Sequence, residues 1–356
     1  MIIYISLEKD AFQRDNVPYI DRLVHEIVDI YIKGRHLIVV ERETIERIRA
    51  TTTLNRHAEV VLNDLYSFYS QTKGMVKTSP VSLQVLSVES DLGRRGSIFE
   101  VGLKKFIEYD LSRETKLLVE NKLNDGQFLA IALQRLATRN RLGKLTFDIG
   151  HGGGDDMPAL FQAEIDDRRI TVCVADSDRK FPHAQISDKC RKLNKKLKSS
   201  VGSVVHYVEL PCHEAENMIP LSSLSELPLP PEHLLTLTKL QQIEKKEIEA
   251  EIPVSERLKL FFDFKNGVLP EKMIALRGTS YGRYLREKFE LIGIDITKEA
   301  VHGLGDHLTR RLTEEGKAIA DFCQKIFSCP YWKDIFSDAL SNLLYFLLGG
   351  QKRVAM

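Results

Sequence analysis

Two carboxylates one residue apart, Asp176 and Asp178, close a run of β-branched and small apolar residues in "TVCVADSDRKFP" (171–182). A buried strand has no use for charge at its end unless the charge does something there. Other acids stand at comparable places: "KLLVE" ends on Glu120, "KLTFDIG" runs into "HGGGDD", and "VVHYVELPCHEAEN" leads to Glu214 and Glu216. In an open α/β sheet the carboxyl ends of the strands face one crevice, so Glu120, Asp176, Asp178 and Glu216 are expected to converge. Carboxylates that close cannot all stay ionised without compensation, and the usual compensation is a divalent cation. An all-oxygen ligand set suits Mg²⁺ or Mn²⁺ better than zinc. Each acid alone reads equally as a turn or a helix N-cap, and the glycine run Gly152, Gly153, Gly154 as a tight turn. The order of the acids, strand by strand, carries the reading.

The elements that must position them alternate. From 115 to about 220 the chain reads strand "TKLLVE", helix "GQFLAIALQRLATRN", strand "KLTFDIG", helix "MPALFQAEID", strand "RRITVCVAD", helix "QISDKCRKLNKKLK" and strand "SVVHYVELP". Strands separated by helices imply a mostly parallel sheet. Before it, residues 1 to about 110 give strands at "IIYISL", "HLIVVE" and "SLQVLSV", with helices between them and an amphipathic helix across "SIFEVGLKKFIEYDL". After "PLSSLSELPLPPEH", a proline-punctuated passage that reads as a boundary, helical patterns dominate to the end. The expected layout is an N-terminal α/β domain over 1–112, a catalytic α/β domain over 113–221 and an α-helical C-terminal domain over 222–356. The helix "YWKDIFSDALSNLLYFLL" is expected in a core or an oligomer contact, anchored by Trp332.

Composition narrows the class. The 356 residues carry 51 Lys plus Arg against 50 Asp plus Glu, so whole-chain charge singles out no polyanionic partner. Five cysteines without a C-x-x-C pair fit reduced thiols in a cytoplasmic protein. No signal peptide or membrane-spanning run is legible, and no G-x-x-x-x-G-K-[ST] loop provides for ATP.

The ordered motifs "LLVENKLNDG", "DIGHGGGDD", "CVADSDRK" and "HEAENMIP" resemble those of the TOPRIM fold, shared by topoisomerases, bacterial primases and nucleases of the overcoming-lysogenization-defect type and related anti-phage effectors. That family has a glutamate after the first strand, a glycine-bearing turn after the second, an Asp-x-Asp after the third and a later acidic motif. "EAEN" is closest to the nuclease branch. The resemblance covers roughly 115 to 220 and departs at one point: Asn121 follows Glu120 where the family places glycine, and the downstream candidates are Asn124 and Asp125. It implies that Asp176 and Asp178 hold Mg²⁺ with Glu216 and Glu214, and that Glu120 is a second ligand or the general base. Two metals about 3.5–4 Å apart would polarise the phosphate, activate water and neutralise the leaving oxygen.

Arg179 or Lys180 is either a transition-state cation or a surface ion-pair partner. Lys189, Arg191, Lys192, Lys195, Lys196 and Lys198 form either a solvated helix face or a track for a DNA or RNA backbone. The expected activity is Mg²⁺-dependent phosphodiester cleavage in an anti-phage effector restrained by another protein or an ATPase in trans, with no membrane partner. The alternatives are a topoisomerase- or primase-like enzyme and a non-catalytic sensor that binds nucleic acid or a partner. Acids after the N-terminal strands, Glu8, Asp10, Glu41, Glu43, Glu89 and Asp91, give either loop solubility or a second, PIN-like centre.

Overall fold

Short apolar runs organise two sheets in the computed structural model, which describes residues 1–350. The first sheet holds β1 (Ile2–Ile5), β2 (Leu37–Val40), β3 (Ser82–Ser87), β4 (Gly93–Arg95) and β5 (Ile98–Gly102) in the order β2-β1-β3-β5-β4. All its neighbours are parallel except β4 and β5, which form an antiparallel edge pair. Around it lie α1 (Val17–Lys33), α2 (Arg42–Thr51), α3 (Arg56–Thr78) and α4 (Leu103–Glu108). The segment expected as one amphipathic helix, "SIFEVGLKKFIEYDL", is divided. Ile98–Gly102 is strand, with Phe99 and Val101 buried at the two-residue spacing of a sheet, and only Leu103–Glu108 is helical. Pairing with β3 and β4 decides the matter where the apolar positions fit either period.

The second sheet is wholly parallel: β6 (Lys116–Val119), β7 (Asp148–His151), β8 (Thr171–Ala175) and β9 (Val205–Glu209), in the order β7-β6-β8-β9. Its crossovers are α5 (Gln127–Arg139), α6 (Met157–Asp166) and α7 (Asp188–Ser199). Both faces are covered, as the continuous apolar runs of parallel strands require. Leu118, Cys173, Ala175 and Tyr207 pack on one side with Met157, Phe161 and Leu193 from α6 and α7. Leu117, Val119, Val172 and Val174 point to the other side, into the main core with α5.

The remainder is mostly helical: α8 (Leu221–Leu224), α9 (Pro231–Glu249), α10 (Pro270–Ala275), α11 (Ser280–Glu290), α12 (Leu308–Glu314), α13 (Gly316–Lys325) and α14 (Ser337–Leu347). A two-stranded antiparallel ribbon, β10 (Gly267–Val268) with β11 (Val301–His302), interrupts it. The passage read as a boundary is packed rather than loose, with Leu221, Leu224, Leu227 and Leu229 buried in the main core. Trp332 is fully buried and donates its indole N–H to Met218 O at 2.8 Å. The end of α14 runs between the two sheets. Thr115 Oγ1 donates to Phe346 O, Thr146 N to Leu347 O, and the N-terminal amine of Met1 to Leu348 O. All five cysteines are free thiols. Among the described residues no helix is long and apolar enough to cross a membrane.

His206 of β9 stacks on Phe346 at 5.2 Å, and burial, with Arg94 adding repulsion, lowers its pKa from 6.5 to about 4. The unfolded chain therefore binds this proton first, and the contribution of His206, present above pH 6.5, is lost as pH falls toward about 4. The stability difference between wild type and His206→Gln, from urea denaturation, is expected to shrink across that window; a pH-independent difference would contradict the assignment.

Candidate active site

Every strand of the second sheet ends at one place. β6 delivers Glu120, whose Oε1 accepts from the backbone N–H of Asp176 at 3.0 Å, so the acids after β6 and β8 are linked directly. The turn after Glu120 is built by Asn121, whose Oδ1 accepts from the N–H groups of Leu123 and Asn124 while its own N–H donates to Asp125 at 3.1 Å. Asn121 has φ −126°, an extended conformation open to any residue, so no glycine is needed there. The glycine run after β7 serves the same strand end. Gly152 and Gly153 donate to Val119 O and Glu120 O at 2.6 and 3.1 Å, and a Cβ on Gly152 would meet Val119 O at 2.8 Å. Gly153 has φ +65°, the left-handed conformation glycine adopts freely.

After β8 the chain turns sharply and is tied to the segment after β9. Ser177 is buried and donates to Cys212 O at 2.5 Å. Asp178, at φ +55°, donates its N–H to His213 O at 3.1 Å. The later acidic motif is anchored from below by the helical region. Asn217 Nδ2 donates to Lys259 O and Phe262 O at 2.8 and 2.9 Å, and its Oδ1 accepts from Glu214 N at 2.9 Å. Lys259, fully buried between Tyr331 and Phe336, donates to Asn217 O, and His213 N donates to Leu260 O. Burial holds the Lys259 ammonium below the usual lysine range.

The electrostatics follow from this convergence. The Asp176 carboxyl is pushed well above the normal range by burial and then by repulsion from Glu120, Asp125, Glu216 and Glu214. Glu216, 3% exposed, is raised to about 7, chiefly by burial, with Lys265 opposing. Asp125 is raised to about 6, again by burial first. One Glu214 carboxylate oxygen, Oε2, is buried without a hydrogen-bond partner among the described residues.

Two lysines neutralise the edges of the cluster. Lys189 Nζ lies 2.5 Å from Glu120 and 3.0 Å from Asp178. Lys265 Nζ lies 3.2 Å from Glu214 and 4.0 Å from Glu216. Among the described residues, no group of three or more His, Cys, Asp and Glu side chains is arranged as a ligand set for a metal ion. The donor chemistry nevertheless fits a hard divalent cation: only carboxylate oxygens, one of them orphaned, with more negative charge than two ammonium groups cancel.

The expected residues are thus divided. Glu120, Asp176 and Glu216 come together, and Asp125 and Glu214 join them. Asp178 stands at the rim, 40% exposed and paired with Lys189. Lys189, read as part of a surface track, is a buried member of the site. It lies on the same stripe as Leu193 and Leu197, four and eight residues on, and Ser187 caps the helix that carries it. Lys192 is exposed, and Lys196 is engaged by Gln162 at 3.1 Å. Arg179 takes the structural role, on Glu209 at 2.6 Å, while Lys180 is exposed with its ammonium 6.0 Å from the Tyr281 ring centroid. His151 accepts from Lys122 N at the rim. Lys265 had no signal in the sequence: it lies in an irregular segment about fifty residues beyond the last acidic motif. The N-terminal acids form no comparable cluster. Glu41 is held by Tyr4 and Lys73, Glu43 by Arg47 and Glu89 by Lys104, each pair apart from the others.

Asn217→Ala removes the side chain that satisfies two buried carbonyls and Glu214 N, and is expected to lower the unfolding free energy by ~3 kcal/mol in urea denaturation. A loss within error of zero would show that the motif is held by something else.

No family model, curated protein or solved structure matches this chain.

Proposed function

We propose that the chain is a TOPRIM-type, divalent-metal-dependent nuclease that cleaves nucleic-acid phosphodiesters. The observation that carries the reading is the convergence of Asp176 with Glu120, Asp125, Glu214 and Glu216 beyond the carboxyl ends of three parallel strands, β6, β8 and β9. The succession of a glutamate after β6, a glycine turn after β7, Asp-x-Asp after β8 and "EAEN" after β9 is the order described for that fold. The ordinary backbone at Asn121 removes the objection raised by the missing glycine. Within that reading the catalytic domain is the unit over 113–221, flanked by the α/β and helical domains over 1–112 and 222–356. An anti-phage role, and restraint by an ATPase or another protein in trans, rest on the family resemblance alone.

Asp176, Glu216, Glu214 and Asp125 would hold Mg²⁺ or Mn²⁺, with Glu120 and Asp178 as the adjoining acids. The cation would supply Lewis-acid polarisation of the phosphate and a lower pKa for the attacking water. The chain's own residues do the rest. Glu120, fixed by the Asp176 N–H and Lys189, is oriented to accept a proton. Lys189 and Lys265 hold positive charge beside the place where the phosphate gains negative charge. The exposed lysines of α7, Lys192 among them, draw the backbone in without reading sequence.

A second reading is favoured by one observation: Lys189 and Lys265 already form ion pairs with four of the acids. In that case the cluster is structural, and the chain binds nucleic acid or a partner without cutting. Asp176→Asn separates the two. It keeps the shape and removes the charge, so Mg²⁺-dependent cleavage of labelled DNA and RNA should fall by about 10³-fold or more with the fold intact by circular dichroism. No Mg²⁺-dependent cleavage by the wild type, or cleavage by Asp176→Asn at the wild-type rate, would sink the nuclease reading.

A further inference from the structure

Beside the carboxylate cluster lies a cavity of about 310 Å³, lined by Lys180, Asp263, Lys272, Met273, Tyr281 and Leu285 among others. Two of its lining residues are joined to the site by short stretches of chain. Lys180 is two residues past Asp178, and Asp263 is two residues before Lys265, so each wall begins within about 7 Å of a site residue. The walls differ in chemistry. Tyr281 is the half-buried ring of the lining, backed outside it by Phe181 at 6.5 Å with 20° between the planes. Met273 and Leu285 form a buried apolar floor. Lys180 and Lys272 are exposed, and among the described residues neither is in an ion pair. Asp263 is fixed by the backbone N–H groups of Lys265 and Asn266 at 3.1 and 2.8 Å, which places a rigid hydrogen-bond acceptor on the wall.

An aromatic ring over an apolar floor, with two exposed cations free of ion pairs at the mouth and one fixed acceptor, is the chemistry that receives a nucleobase and its phosphate. The volume lies at the lower end of the range for small-molecule sites, about 300–1,000 Å³. A base can enter only when it is unpaired and unstacked from its neighbours. We infer that this cavity binds an unpaired nucleobase adjacent to the phosphate at the carboxylate cluster, so that the preferred substrate is single-stranded nucleic acid. The inference rests on the nuclease reading for the nearby phosphate, but the binding it describes is measured without cleavage.

The test is fluorescence anisotropy with the full chain in EDTA, using a labelled DNA oligonucleotide of about 20 nucleotides, its duplex and the RNA of the same sequence. Wild type is expected to bind the single strands more tightly than the duplex; the two single-stranded probes distinguish DNA from RNA. Tyr281→Ala should weaken single-strand binding about tenfold and leave duplex binding unchanged, whereas Tyr281→Phe keeps the ring and the affinity. Lys180→Glu, at the exposed mouth, should also weaken single-strand binding and reduce its salt dependence, which keeps the inference testable if Tyr281→Ala does not fold. Equal single-strand binding by Tyr281→Ala, or an equal loss on duplex, would overturn it. A normal Tyr281→Ala with an inactive Asp176→Asn removes the pocket and spares the nuclease reading. The converse result, with binding lost in Tyr281→Ala but cleavage intact in Asp176→Asn, does the reverse.

Discussion

Repulsion among buried carboxylates is the constraint on which the rest of the molecule depends. Asp176 sits at the centre of five acids brought together by the parallel order β7-β6-β8-β9. A charged group taken out of water beside like charges is stable only if it is protonated, paired or bound to a cation. The first two responses are present: Asp176, Glu216 and Asp125 have raised pKa values, and Lys189 and Lys265 pair with the edges, while Glu214 Oε2 has no hydrogen-bond partner among the described residues.

Holding such a cluster requires rigidity from more than one part of the chain. The end of β6 is fixed by the glycine turn and by Asn121, and the end of β8 by Ser177 and the Asp178 N–H. The "EAEN" segment is fixed by Asn217, Lys259 and Trp332. The last two come from the helical region, which also supplies Lys265. That region is therefore part of the site rather than an appendage to it. Lys259 illustrates the balance: among the described residues its buried ammonium has no carboxylate partner, which is unfavourable, and the carbonyl of Asn217 and two aromatic faces compensate it.

Much of this was legible in the sequence, for a physical reason. Parallel strands have a fixed polarity, so acids at their carboxyl ends must meet, and Glu120, Asp176 and Glu216 do. What was not legible depends on tertiary contact. Lys265 reaches the acids from an irregular segment with no periodicity to flag it. Lys189 was hidden by the basic composition of α7, although its four-residue spacing from Leu193 marks an inward position. Ile98–Gly102 became strand because β3 and β4 offered it partners, a choice that local periodicity leaves open. That Asn121 needs no glycine backbone is likewise visible only in its dihedral angles.

The central claim is that these carboxylates form a cation site held ready by lysines. Its most direct test is a crystal structure with Mn²⁺, read by anomalous scattering. The account predicts an anomalous peak in contact with Asp176 and Glu216, with Lys265 displaced from Glu214. Lys265 still paired with Glu214, and no peak beside Asp176, would contradict it.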